Sequence, residues 1–245
     1  MLRTRFALGF GATLSLLAMA SVARADNEGA LGDKGDIIIS VDRLMPLLSY
    51  EDVKATTQGN PTVSASIAVT SISLVGHGGT ESLYNIPRLA FDYAVIPHLT
   101  IGGSVYVFTQ AGNSSTVTIA GTSTTTYNAK ATEWGIAPRV GYVIGLGHDF
   151  AFWPRAGVSF NDASHTSGIQ VGTTQVNGSS ATEFALDLEP MFVYTPFSHV
   201  GITAAPTLDI PLAGSVSVPA GNNLTSSASL TELQIGLHVG LLIHF

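Results

Sequence analysis

Apolar and polar residues alternate along much of this chain, most regularly at its end. From Leu233 to Phe245 every second side chain is apolar: Leu233, Ile235, Leu237, Val239, Leu241, Ile243 and Phe245. The opposite parity carries Gln234, Gly236, His238, Gly240, Leu242 and His244. Successive side chains of a β-strand point to opposite faces, so a period of two predicts a strand with one wholly apolar face. The same alternation predicts strands over residues 85–96, 99–110, 131–144, 150–160, 182–194, 199–210 and 229–245.

The connections alternate in length. Three are short, at residues 96–98, 145–149 and 195–198. Three are long, at 111–128, 161–180 and 211–228, and these are rich in Ser, Thr, Gly and Asn. Short turns on one side and long loops on the other are the layout of an up-and-down membrane barrel, and a soluble sandwich has no reason to sort its loops. The charges agree. With the more apolar parity facing lipid, outward sets include Leu89, Phe91, Tyr93 and Val95, and Trp134, Ile136, Val140, Tyr142 and Ile144. Arg88, Asp92, Glu133, Arg139, Arg155, Glu183, Asp187, Glu189, Asp209 and Glu232 then all fall on the inward parity. An Arg at the midplane of a barrel's lipid face costs about 2–4 kcal/mol, which is reason enough to clear that face of charge.

A short repeat supports strands of one kind. Pro87-Arg88-Leu89-Ala90-Phe91, Pro138-Arg139-Val140-Gly141-Tyr142 and Pro154-Arg155-Ala156-Gly157-Val158 each place Pro outward and Arg inward. Pro87, Pro138, Pro154, Pro190 and Pro206 each remove a ladder hydrogen bond, so β-bulges or strand bends are expected there. Two further β-like stretches, 36–48 and 64–75, bring the total to nine, whereas a bacterial barrel with both termini in the periplasm needs an even number. We take 36–48 as the first strand and 64–75 as an extension within the first extracellular excursion or prolonging the next strand. Eight strands result, with ten as the alternative count.

Composition sets the compartment. Arg3 and Arg5 precede an apolar stretch, Phe6 to Ala20, and Ala23-Arg24-Ala25 offers a small-x-small cleavage site. Residues 1–25 therefore read as a secretory signal peptide and 26–245 as one β-barrel domain. Removing the leader leaves 7 basic against 17 acidic residues, which argues against nucleic acid as a partner. There is no cysteine, so neither disulfides nor N-terminal lipidation is expected. Mean hydropathy is +0.34, yet no later apolar run reaches the roughly 18–20 residues of a membrane helix.

Signal peptide, alternating strands, sorted loops and the closing Phe245 together resemble the small outer-membrane β-barrel superfamily that includes OmpA-, OmpX- and OmpW-like proteins. The resemblance implies an all-β, antiparallel up-and-down transmembrane barrel in the bacterial outer membrane, monomeric and embedded in outer-membrane lipid. It also implies insertion by the barrel assembly machinery, with Leu237, Val239, Leu241, Ile243 and Phe245 as the signal on the last strand.

Eight strands leave an interior just wide enough for side chains to fill. The expected lumen network is Arg88, Asp92, Glu133, Arg139, Arg155, Glu183, Asp187, Glu189 and Asp209, with His238 and His244 nearby. Arginines bridging carboxylates would plug the lumen, because unpaired buried charge is costly. A narrow cation-preferring path lined by Glu183, Asp187, Glu189 and Asp209 is the alternative. No Gly-x-Ser-x-Gly, His-Glu-x-x-His or phosphate loop is present, and His165-Thr166-Ser167 is the one local hydrolase-like grouping. His98, His148 and His199 sit on separate turns without ligand spacing. The sequence thus predicts no enzyme, no cofactor and no metal. It points to a barrel with a structural or cell-surface interaction role, with a small pore, or a soluble exported β-sandwich, as the alternatives.

Overall fold

Eight strands pair in one antiparallel ring: β1 (Ile37–Thr57), β2 (Arg88–Ile96), β3 (Leu99–Gln110), β4 (Lys130–Tyr142), β5 (Phe150–Thr166), β6 (Ser180–Phe197), β7 (Val200–Pro219) and β8 (Thr225–His244). Each pairs with its neighbour in sequence, and β8 pairs with β1 from Ile38↔His244 to Thr57↔Ala228, closing the barrel. A single closed sheet is not a sandwich. The computed structural model describes residues 31–57, 63–72, 84–110, 114–119, 122–127, 130–166, 170–171, 174–175, 178–219 and 225–245. The expected leader at 1–25, residues 73–75 and Ser167 lie outside the described residues.

Segment Val63–Ile72 is a strand off the ring. It pairs with the outer half of β1, Leu48↔Ile72 through Thr57↔Val63, on the edge that β2 occupies lower down, Ile37↔Tyr93 through Asp42↔Arg88. It thus both belongs to the first long excursion and prolongs the line of β2, leaving eight strands in the ring. The long connections contain more β-structure than the sequence suggested. β5, β7 and β8 run on to Thr166, Pro219 and back to Thr225, and Ser114–Ile119 forms a hairpin with Thr122–Tyr127.

The strand prolines behave differently from expectation. Pairing skips residues 137–138 of β4 against β5, though both pair with β3, and residues 189–191 of β6 against β7, and the register on either side is unchanged. Pro154 faces Pro190 directly, and Pro206 faces Leu237. A proline pointing to lipid simply leaves its ladder bond out. Pro87 precedes β2. Register shifts occur elsewhere, in β1 between Val41 and Met45 and between Pro46 and Leu48, and near Pro196 and Pro211.

The face assignment holds along the barrel. Leu89, Phe91, Tyr93, Ile101, Val105, Ile136, Val140, Phe192, Ile202 and Leu241 are exposed on the outside, whereas all ten predicted inward charges are buried. Ile144 is the exception. β4 ends at Tyr142, Val143 turns into the interior, and Ile144 is buried at the start of a short strand, Ile144–Gly147, paired back on β5.

Candidate functional site

The interior is filled in three layers. At the short-turn end Leu31, Ile38, Val143, Trp153, Met191, Val193 and Leu242 form an apolar plug. Trp153 is fully buried and donates its indole N–H to Thr100 Oγ1 at 3.0 Å. Gly141 makes this possible: a Cβ there would lie 2.4 Å from the indole nitrogen. Residues 31–36 lie across this end. His98 and Gly35 donate backbone bonds to Gly32 and Ala94, Asp36 accepts from Gly32 N at 2.8 Å, and His244 Nδ1 stands 3.5 Å from Asp36.

Above the plug lies a charge network. Arg139 grips Asp92 through Nε and Nη2 (3.0 and 2.5 Å) and Asp42 through Nη1 (2.5 Å). Arg155 Nη2 reaches Glu189 at 2.7 Å and Asp42 at 3.2 Å, and its guanidinium stacks over Trp153. Arg88 Nη1 is 3.4 Å from Asp187, which also accepts from Ser159 Oγ at 2.9 Å. The hub is Arg43. It donates five hydrogen bonds: two to Asp209 (2.9 Å each), two to Glu189 Oε1 (3.2 and 2.9 Å) and one to the Tyr84 carbonyl (2.9 Å). Bidentate charge-assisted bonds of this kind are the strongest a guanidinium makes.

Arg43 is not among the residues the alternation pointed to. Its odd position in β1 would face lipid. Instead it adopts φ 53°, inside the Val41/Met45 register shift, so Asp42 and Arg43 both enter the lumen. An extra residue in one strand is how a bulge re-aims a side chain. The usable signal was the conflict itself, an arginine on the greasy parity of an apolar strand shortly before Pro46.

The third layer comes from residues just before β2, where the predicted strand 85–96 begins too early: the observed strand starts at Arg88. Residues 84–86 fold inward, with Tyr84 and Ile86 buried. Asn85 Oδ1 accepts from Gln234 Nε2 (2.7 Å) and from His238 Nε2 (3.0 Å), while its Nδ2 donates to Glu51 (2.9 Å). Glu133 and Glu183, expected within one network, sit apart at this level. Glu133 faces His165 Nε2 at 3.5 Å, and Glu183 Oε1 accepts the Glu232 backbone N–H at 3.1 Å. Two cavities of about 10 Å³ flank the Arg155–Glu189 pair, room for roughly one water each.

Turn histidines 98 and 148 occupy left-handed conformations, φ 72° and 45°, and His199 Nδ1 lies 3.0 Å from the His244 carbonyl. No grouping of metal-ligating side chains occurs among the described residues. The stripe Leu237, Val239, Leu241, Ile243 and Phe245 faces outward on β8, and the backbone of Phe245 exchanges two 3.0 Å bonds with Ile37.

No protein-family model matches the chain, and no curated protein sequence matches it. Among solved structures it is similar to the outer membrane protein OprG from Pseudomonas aeruginosa, with 11% identity, TM-score 0.47, and coverage of 87% of this chain and 97% of that one. It is also similar to Ail, the attachment invasion locus protein of Yersinia pestis (11%, 0.34, 86% and 99%). The outer membrane protease OmpT from Escherichia coli is a third (9%, 0.43, 90% and 99%).

Proposed function

We propose that this chain is an integral outer-membrane β-barrel whose closed lumen makes it a structural and surface-presenting element, neither a channel nor an enzyme. The single observation behind this reading is the three-layer filling, in which an apolar plug, the Arg43 network and the inward 84–86 segment succeed one another across the barrel. An apolar outer belt with buried charge inside suits lipid, because the ring leaves its backbone groups satisfied within the sheet. The short-turn end then faces the periplasm, and the long strands and the hairpins at the other end project outside. β8, with its stripe ending in Phe245, is the strand the assembly machinery would read, and deleting Phe245 should lower the outer-membrane level of the protein.

Planar-bilayer recording tests the closed lumen. Purified barrel should show no steady conductance, and reproducible cation-selective openings would overturn the proposal. A second reading, a narrow cation-preferring path, is favoured by one feature: five network carboxylates (Asp42, Asp92, Asp187, Glu189, Asp209) against four guanidiniums (Arg43, Arg88, Arg139, Arg155). The same recordings decide between the two.

A further inference from the structure

We propose that the lipid-facing wall carries a binding groove for one acyl chain of a glycerophospholipid from the periplasmic leaflet. The inference rests on the membrane-barrel reading above. A groove of about 380 Å³ crosses the outside of β4, β5 and β6. Val140 and Tyr142 wall one side, Leu188 and Pro190 the other, and Pro154 and Ala156 lie between them. Its floor is the chain at Gly141, Arg155 and Glu189, and the two charged side chains of that floor turn into the lumen.

The outward parity of β5 explains the shape. It reads Phe150, Phe152, Pro154, Ala156, Val158, Phe160, with three non-aromatic residues, Pro154 and Ala156 the most compact, between the aromatics. Register places Ala156 between Val140 and Leu188, and Pro154 opposite Pro190. Below, a Phe152–Phe192 pair (centroids 5.0 Å apart) and a Phe150–Tyr194 stack (4.6 Å) form the ledge. Paired proline rings hold the depression open, because their backbones have little freedom.

Depth selects the occupant. Pro154 and Ala156 are four and six residues above the start of β5. At a rise of about 3.4 Å per residue and a tilt near 40°, that puts them about 10 and 15 Å above the periplasmic edge of a belt roughly 25 Å tall. The groove therefore lies in the periplasmic half of the belt and reaches about mid-membrane. Tyr142, the neighbour of Pro154 in the β4–β5 register, closes the periplasmic end of the groove, and its phenol is the one polar group of the outward lining. Outward-facing lining residues carry no charge, so the site suits hydrocarbon topped by one polar contact.

Wild type, Ala156→Phe and the control Val105→Phe, an exposed belt position on β3, would be inserted into vesicles of phosphatidylethanolamine and phosphatidylglycerol. After transfer to detergent, native mass spectrometry counts retained phospholipid. One lipid should stay on wild type and on V105F, and A156F should lose about tenfold in occupancy, as expected when a side chain fills a concave apolar site. Equal retention by A156F, equal loss by V105F, or none on wild type overturns the proposal. Heat-modifiable gel migration checks each variant's barrel, and its absence in wild type would fail the membrane-barrel reading instead. If A156F does not assemble, phosphatidylethanolamine with a photoreactive acyl chain decides on wild type. Crosslinks confined to 140–142, 154–156 and 188–190 support the groove, and uniform labelling around the belt refutes it.

Discussion

Replacing Arg43 by Met tests the hub directly. The side chain is buried to 2% exposure and holds two carboxylates on different strands, Glu189 of β6 and Asp209 of β7, together with the Tyr84 carbonyl. Met fills similar space but donates nothing. Glu189 keeps Arg155 at 2.7 Å, whereas Asp209, with no exposed surface, loses the guanidinium that both its oxygens grip. Breaking one side of a buried ion pair costs about 3–5 kcal/mol, chiefly from the charge left behind. The left-handed backbone at residue 43 disfavours a non-glycine residue by roughly 1–2 kcal/mol, and Met inherits that strain without the bonds that offset it. Equilibrium urea unfolding from lipid vesicles, read by heat-modifiable migration and tryptophan fluorescence, should show a loss of about 3–5 kcal/mol. Adding Asp209→Asn removes the stranded charge, so the double variant should recover at least half of that. A single variant within about 1 kcal/mol of wild type, the range of a single ordinary hydrogen bond, would refute the hub. So would a double variant no more stable than the single.

Other changes probe the wall and the plug. Leu241→Arg, at mid-belt on the lipid face, should cost about 2–4 kcal/mol, whereas Thr231→Arg, outward beside Lys54 above the belt, should cost about 0–1, measured by the same unfolding; equal costs would mean the faces or the depth are misassigned. Gly141→Leu forces a side chain into Trp153 and Thr100, whose nearest atoms lie 2.4 and 2.7 Å from a Cβ at 141, and should destabilise by about 1–3 kcal/mol or more with a shift in Trp153 emission. Asn85→Ala removes the acceptor shared by Gln234 and His238. Such a loss of buried partners should cost about 1–3 kcal/mol, and only in this variant should brief conductance steps appear in bilayer recordings. A silent N85A channel with unchanged stability would show that the 84–86 segment does not seal the barrel.

Where the sequence could be read and where it could not follows from one property, the period of two. Alternation reports the face of a residue only while the strand stays regular, which is why β2 through β8 were legible down to individual charges. Gln234, Asp187 and Arg155 needed nothing else. At β1 the rule fails over two residues, because the shift at Val41/Met45 lets Asp42 and Arg43 enter side by side. Tyr84 and Asn85 were invisible for another reason. They lie before the observed start of β2, although Asn85 falls within the predicted strand 85–96; Asn85 is held by Gln234 and His238 some 150 positions away and the Tyr84 carbonyl by Arg43, which no local pattern encodes. Pro138 and Pro190 show the converse. Each looked like a disruption, yet the ladder resumes in the same register beyond it, because neighbouring pairs fix the register. A parity violation by a charge is therefore stronger evidence of an irregular backbone in such a barrel than a proline is. Pro138 and Pro190 each forgo one hydrogen bond without a change of register, whereas a guanidinium left in lipid would cost about 2–4 kcal/mol, and at Arg43 the strand bends.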